Sequence, residues 1–191
     1  AEALQESLPY ANRLKEDDAD VNACFSVVED VYRAGKNRVG FAKMAMSLPT
    51  DTKVCAVRGA KKTIWKNALA ARTEEILAPI AASIIVADQA ERVTLEGFYQ
   101  YVLLRELTQN LGNQNVAGTE KSSKTSLGSE AGWFSQIKAD VTGLYSLEYL
   151  QKVNEISAET VGSHQVSFLA RLFQNCLLYK STSPRDLARS R

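Results

Sequence analysis

The stretch TLEGFYQYVLLRELTQNLG, Thr94 to Gly112, decides the fold class. Thr94 can cap the amides of a first helical turn, and Phe98, Tyr101, Leu104, Leu107 and Leu111 then recur at three- and four-residue steps until Gly112. That pattern predicts an amphipathic helix with an apolar face turned to a core. Inside it, Arg105 and Gln109 stand one turn apart on one face, with Glu106 beside them.

Working upstream, Trp65, Leu69, Ile76 and Ile80 predict a helix after Gly59, which Pro79 should kink or divide. Val39 to Leu48, followed by the turn formers Pro49 and Asp51 and then Lys53-Val54, predicts a short β element near residues 39–54. The run Cys24 to Tyr32 fits a helix or a strand and stops at Gly35. Downstream, residues 113–130 are rich in Gly, Ser, Thr, Asn and Lys and read as a long surface loop. Trp133, Ile137, Val141, Leu144 and Tyr145 predict a third helix, and Val161 to Phe173 a fourth entered through Ser157. The expected fold is therefore mainly α, an α+β domain with one short sheet element.

Composition excludes several classes of function. The chain has 191 residues, 45% of them hydrophobic, enough for a substantial core. With 23 basic and 22 acidic residues the net charge is +1, which gives no field to steer it toward nucleic acid or an anionic membrane. Its longest apolar run, Ile80 to Ala87, falls well short of the roughly 20 residues a membrane helix needs. Cys24, Cys55 and Cys176 form no Cys-x-x-Cys pair, which argues against a disulfide framework and for a reducing, cytoplasmic setting. Trp65 and Trp133 read as packing anchors. No glycine spacing forms a phosphate loop. Ser163 adjoins His164, the one histidine of the chain, but sequence adjacency does not create attack geometry.

Several blocks, taken in order, carry a family resemblance. Val27-Val28-Glu29-Asp30-Val31-Tyr32-Arg33-Ala34-Gly35, Ser47-Leu48-Pro49-Thr50-Asp51, Gly59-Ala60-Lys61-Lys62 and Ile76-Leu77-Ala78-Pro79-Ile80 precede Arg105-Glu106-Leu107-Thr108-Gln109-Asn110-Leu111-Gly112. Ser135-Gln136-Ile137-Lys138-Ala139-Asp140 follows. The series resembles the dipeptidyl peptidase III family of zinc metallopeptidases, in particular its bacterial and plant members that can be fused to Nudix domains. It covers roughly residues 25 to 175, about a third of a family member.

The resemblance implies a helical zinc lobe of a two-lobed enzyme that releases dipeptides from peptide N-termini. It places Arg105 and Gln109 where that family has the two histidines of its His-Glu-Leu-x-His-x-Leu-Gly motif, and Gln136 where it has a glutamate ligand. A guanidinium has no lone pair to offer and carboxamides are weak zinc ligands, so no metal is expected to bind here and no cofactor is implied by the residues present. Glu106 keeps the general-base position. Pro49, Thr50 and Asp51 stand where the family's Leu-Pro-Asn-Asp is thought to hold the substrate backbone.

The expected organisation is a partial N-terminal segment over 1–24, the helical lobe over 25–176, and a tail over 177–191 that resembles translated sequencing-adapter sequence. The expected function is that of a divergent, non-catalytic fragment of such a peptidase. Two alternatives stand beside it: a peptide-binding or interaction module, or an active metallopeptidase whose sequence contains errors. Short peptides and the missing second lobe are the expected partners, with no nucleic acid and no membrane. If the ligand positions are filled by other residues, Arg105 should pair with Glu106 or Asp140.

Overall fold

The computed structural model describes residues 2–9, 24–35, 43–48, 54, 61–109, 111–112, 115–119 and 121–180, the last four by their backbone alone. Three strands and a set of helices make up the described part, in keeping with a mainly α, α+β domain.

The strands are β1 (Cys24–Val28), β2 (Ala45–Leu48) and β3 (Lys61–Trp65), in sheet order β1-β3-β2. β3 is central, parallel to β1 with Cys24 opposite Lys61, and antiparallel to β2 with Ala45 opposite Ile64. The ambiguous run after Cys24 is thus a strand, and β2 falls inside the expected β element. β3 was not foreseen, because Trp65 and Leu69 fit a helix by spacing. In fact Trp65 ends the strand and α2 (Lys66–Arg72) begins at the next residue. Alternation sends Lys62 and Ile64 to one face of β3, and both are buried.

The helix that Pro79 was expected to kink or divide stays helical throughout but carries a π-helical turn just before the proline. α2 widens into a π-helical turn, Thr73–Leu77, before α3 (Ala78–Ile84), whose first turn holds the proline. Proline has no amide hydrogen, so the helix tolerates it best at such a start. A short α4 (Ala87–Ala90) leads to α5 (Leu95–Thr108). Thr94 caps α5, its Oγ1 accepting from Gly97 N at 3.1 Å, and Gly112 beyond the helix has φ +75°.

Within the stretch read as a loop, the described residues 121–130 carry regular structure. Asn115 bridges to Ser122, and α6 (Ser123–Leu127) and a 3-10 turn (Gly128–Glu130) follow. A single polar turn has no apolar face, so periodicity could not reveal it. α7 (Ala131–Lys152) and α8 (Ala158–Lys180) complete the order, Ser157 Oγ accepting from Thr160 N at the entry to α8. α8 runs four residues past the expected lobe boundary at 176.

The core lies where the sheet and α2, α3, α5 and α8 meet, around Ile64, Leu69, Leu77, Ala81, Phe98, Val102 and Ala170. α5 packs against both α7 and α8. Its approach to α8 requires Gly97, where an added Cβ would stand 2.1 Å from Ser163 Oγ. Toward α7, the buried Thr108 Oγ1 lies 2.8 Å from Leu104 O and 3.0 Å from Ala139 O, tying the two helices together. α1 (Glu2–Ser7) docks on the far end of α5. Leu4 and Leu8 pack with Leu111, Gly112 N donates to Gln5 Oε1 at 2.8 Å, and Tyr145 OH donates to Ser7 O. Among the described residues no helix is long and apolar enough to cross a membrane.

Candidate functional site

The face of α5 that carries Tyr101, Arg105 and Glu106 opens onto a cleft of about 850 Å³. α7 contributes Trp133, Gln136, Ile137 and Asp140, α8 contributes Arg171, Leu172, Asn175 and Cys176, and Lys43, Met44 and Ala45 close the edge by the sheet. Each helix presents the residues on its cleft face at three- or four-residue steps, as α-helical pitch requires. The volume falls in the range of small-ligand clefts.

At the floor of the cleft a charged network is already assembled. Arg105 Nε donates to Asp140 Oδ1 at 2.9 Å, Tyr101 OH donates to the same oxygen at 3.1 Å, and Arg105 Nη1 stands 3.5 Å from Glu106 Oε1. From the sheet side, Lys62 Nζ donates to the backbone oxygen of Glu106 and lies 3.8 Å from its Oε2. Lys62 is 1% exposed. Its burial lowers the ammonium pKa from the ordinary lysine value, and the Glu106 carboxylate partly restores it. Burial, with the Asp140 carboxylate next in effect, raises the Tyr101 phenol, so that group is a neutral hydrogen-bond donor across the physiological range.

Chemically, Glu106 sits between two cations, and Arg105 is held by two carboxylates. A guanidinium in this position offers no electron pair to a metal, and the carboxamide of Gln136, which lines the same cleft, is a weak metal ligand. Among the described residues no group of three or more His, Cys, Asp or Glu is placed to hold a metal ion. The donor set around Arg105 does not fit zinc.

No family model matches the chain. It is 29% identical over 175 residues to Nudix hydrolase 3 of Arabidopsis thaliana, a match that takes in 90% of this chain but 22% of that protein. Among solved structures it superimposes on dipeptidyl-peptidase III from Caldithrix abyssi with TM-score 0.84 and 28% identity, covering 91% of this chain and 34% of that one. Dipeptidyl-peptidase III from Corallococcus sp. strain EGB gives TM-score 0.77 at 28% identity, with 88% and 32% covered. The chain has a dipeptidyl peptidase III-like fold. It spans about a fifth of the curated relative and about a third of the two solved structures.

Within this dipeptidyl peptidase III-like domain the residues singled out from sequence are not all gathered together. Arg105, Glu106 and Gln136 line one cleft, and Arg105 does pair with both Asp140 and Glu106. Gln109 forms the C-terminal cap of α5 and is not among the lining residues. Pro49, Thr50 and Asp51, and with them Cys55, lie outside the described residues. Ser163 and His164 form no dyad: Ser163 Oγ donates to Arg92 O at 2.7 Å and meets Thr94 Oγ1 at 2.6 Å, whereas His164 is buried edge-on to Tyr101. Cys24 and Cys176 are free and exposed.

Sequence reasoning missed Lys62, Lys43 and Arg171 and misjudged Trp133. That indole is 57% exposed and lines the cleft, so it is not a buried packing anchor. Its place at i, i+4 with Ile137 reads equally as core or as cleft wall, because spacing fixes a face but not what covers it.

Proposed function

We propose that this chain is a divergent piece of the helical lobe of a dipeptidyl peptidase III-like protein that performs no zinc peptidase chemistry itself and keeps its cleft as a docking surface for short peptides. One observation carries the reading: Arg105, whose position matches a zinc histidine by the resemblance, points into the cleft and is committed to Asp140 and Glu106. A fixed cation there repels a divalent ion and neutralises the glutamate that would otherwise polarise water. The dipeptidyl-peptidase activity for which the two solved relatives are named supports the peptide part of the reading, and the cleft volume is in the range small ligands occupy. A reducing, cytoplasmic setting goes with it, given the free thiols of Cys24 and Cys176.

Calorimetric titration with zinc, elemental analysis of the purified chain, and incubation with a chromogenic dipeptidyl substrate test the proposal together. No stoichiometric zinc and no dipeptide release are expected. Tightly held zinc with turnover overturns it.

A further inference from the structure

Arg171 is a half-buried cation of this cleft that is in no ion pair among the described residues. It lies on α8, and its Nη1 donates to a neutral acceptor, Gln174 Oε1, at 2.7 Å. Among the described residues no carboxylate comes within ion-pair distance of it. Asp140, whose charge does reach it, is already taken by Arg105 and Tyr101. Its like-charged neighbours are Arg72 and Arg105. A guanidinium stays charged under ordinary conditions and carries five donors in a planar fork that matches a carboxylate. Withdrawing such a group from water without an anion is costly, so proteins rarely do so unless something pairs with it.

The cleft around it has matching character. Lys43, Arg105 and Arg171 line it against Glu106 and Asp140, three cations to two carboxylates, and both carboxylates are engaged. The Lys43 ammonium is exposed and lies 3.4 Å from the Met46 sulfur, with no carboxylate in ion-pair range among the described residues. Trp133, Ile137 and Leu172 add an apolar wall that is 57%, 57% and 40% exposed. A ligand suited to this arrangement has an anionic end and an apolar body.

We propose that Arg171 anchors the C-terminal carboxylate of a short peptide in this cleft, with an apolar residue of the peptide laid against Trp133, Ile137 and Leu172. The proposal rests on the peptide-docking reading and adds the end of the peptide that is recognised.

The test uses the full chain and three acetylated tripeptides of sequence Ala-Leu-Phe type: the free acid, its C-terminal amide, and an amide in which the middle residue is Glu. Calorimetry should give an affinity for the free acid about tenfold higher than for either amide, the worth of one charge-assisted fork. Arg171→Gln should bring the free acid and the plain amide to equal affinity, and Arg171→Lys should keep part of the ratio. Unchanged circular dichroism and denaturation midpoints for both variants guard against misfolding. Equal affinities for acid and amide, or a ratio that survives in Arg171→Gln, overturn the anchor while leaving peptide docking in place. A Glu-containing amide as tight as the free acid overturns the assignment to the terminal carboxylate. Absence of binding by all three removes the docking reading and the anchor together.

Discussion

Arg105 and Asp140 face each other across the α5–α7 interface, Nε to Oδ1 at 2.9 Å, with Tyr101 OH on the same carboxylate oxygen. Each side chain of the ion pair is 22% exposed, so water screens part of the attraction. A double-mutant cycle with Arg105→Met and Asp140→Asn should therefore return a coupling of about 1 kcal/mol in urea denaturation. A coupling indistinguishable from zero would mean that the pair does not hold α5 and α7 together.

Gly97 is needed for close packing and not for an unusual backbone angle. An added Cβ would lie 2.6 Å from the backbone carbon of Ser163 as well as 2.1 Å from its hydroxyl, and a backbone cannot swing away as a flexible side chain can. Gly97→Ala should separate α5 from α8 and cost about 2–3 kcal/mol despite alanine's better helix propensity. A variant as stable as the parent by thermal denaturation contradicts this packing.

Lys62 neutralises Glu106 from beneath while also satisfying its backbone carbonyl. Lys62→Met removes a buried donor and leaves Glu106 to Arg105 alone, so a loss of about 1–3 kcal/mol is expected. The double variant Lys62→Met with Glu106→Gln should recover part of it, because the carboxylate that lost its partner is gone. Chemical denaturation of the single and double variants checks the ordering.

His164 is 1% exposed, and among the described residues neither ring nitrogen has a hydrogen-bond partner. Burial depresses its pKa from 6.5 to about 4. Between those values the unfolded chain binds a proton that the folded chain refuses, so this residue's contribution is intact above pH 6.5 and declines as pH falls toward 4. The decline should reach roughly 3 kcal/mol at the lower end. His164→Leu should flatten that part of the pH profile and raise stability at pH 7 by about 1 kcal/mol, since it removes two polar atoms left without partners. Denaturation midpoints at pH 7, 5.5 and 4 for both proteins decide it.

By itself the sequence determined the local features of this protein: the helix opened by Thr94, the irregularity beside Pro79, the entry to α8 at Ser157, and the placing of Arg105 and Glu106 together on one helix. Caps, proline and apolar periodicity act over about four residues, so they are written in neighbouring positions. Tertiary structure alone decided that residues 61–65 form the central strand, that Lys62 is buried under a helix 44 residues later in the chain, and that Arg105 bonds Asp140 across a gap of 35. It also decided that Trp133 and Arg171 face a cleft. Burial and the choice of charge partner depend on which distant segments come to lie against a side chain, and no spacing within a single element encodes that.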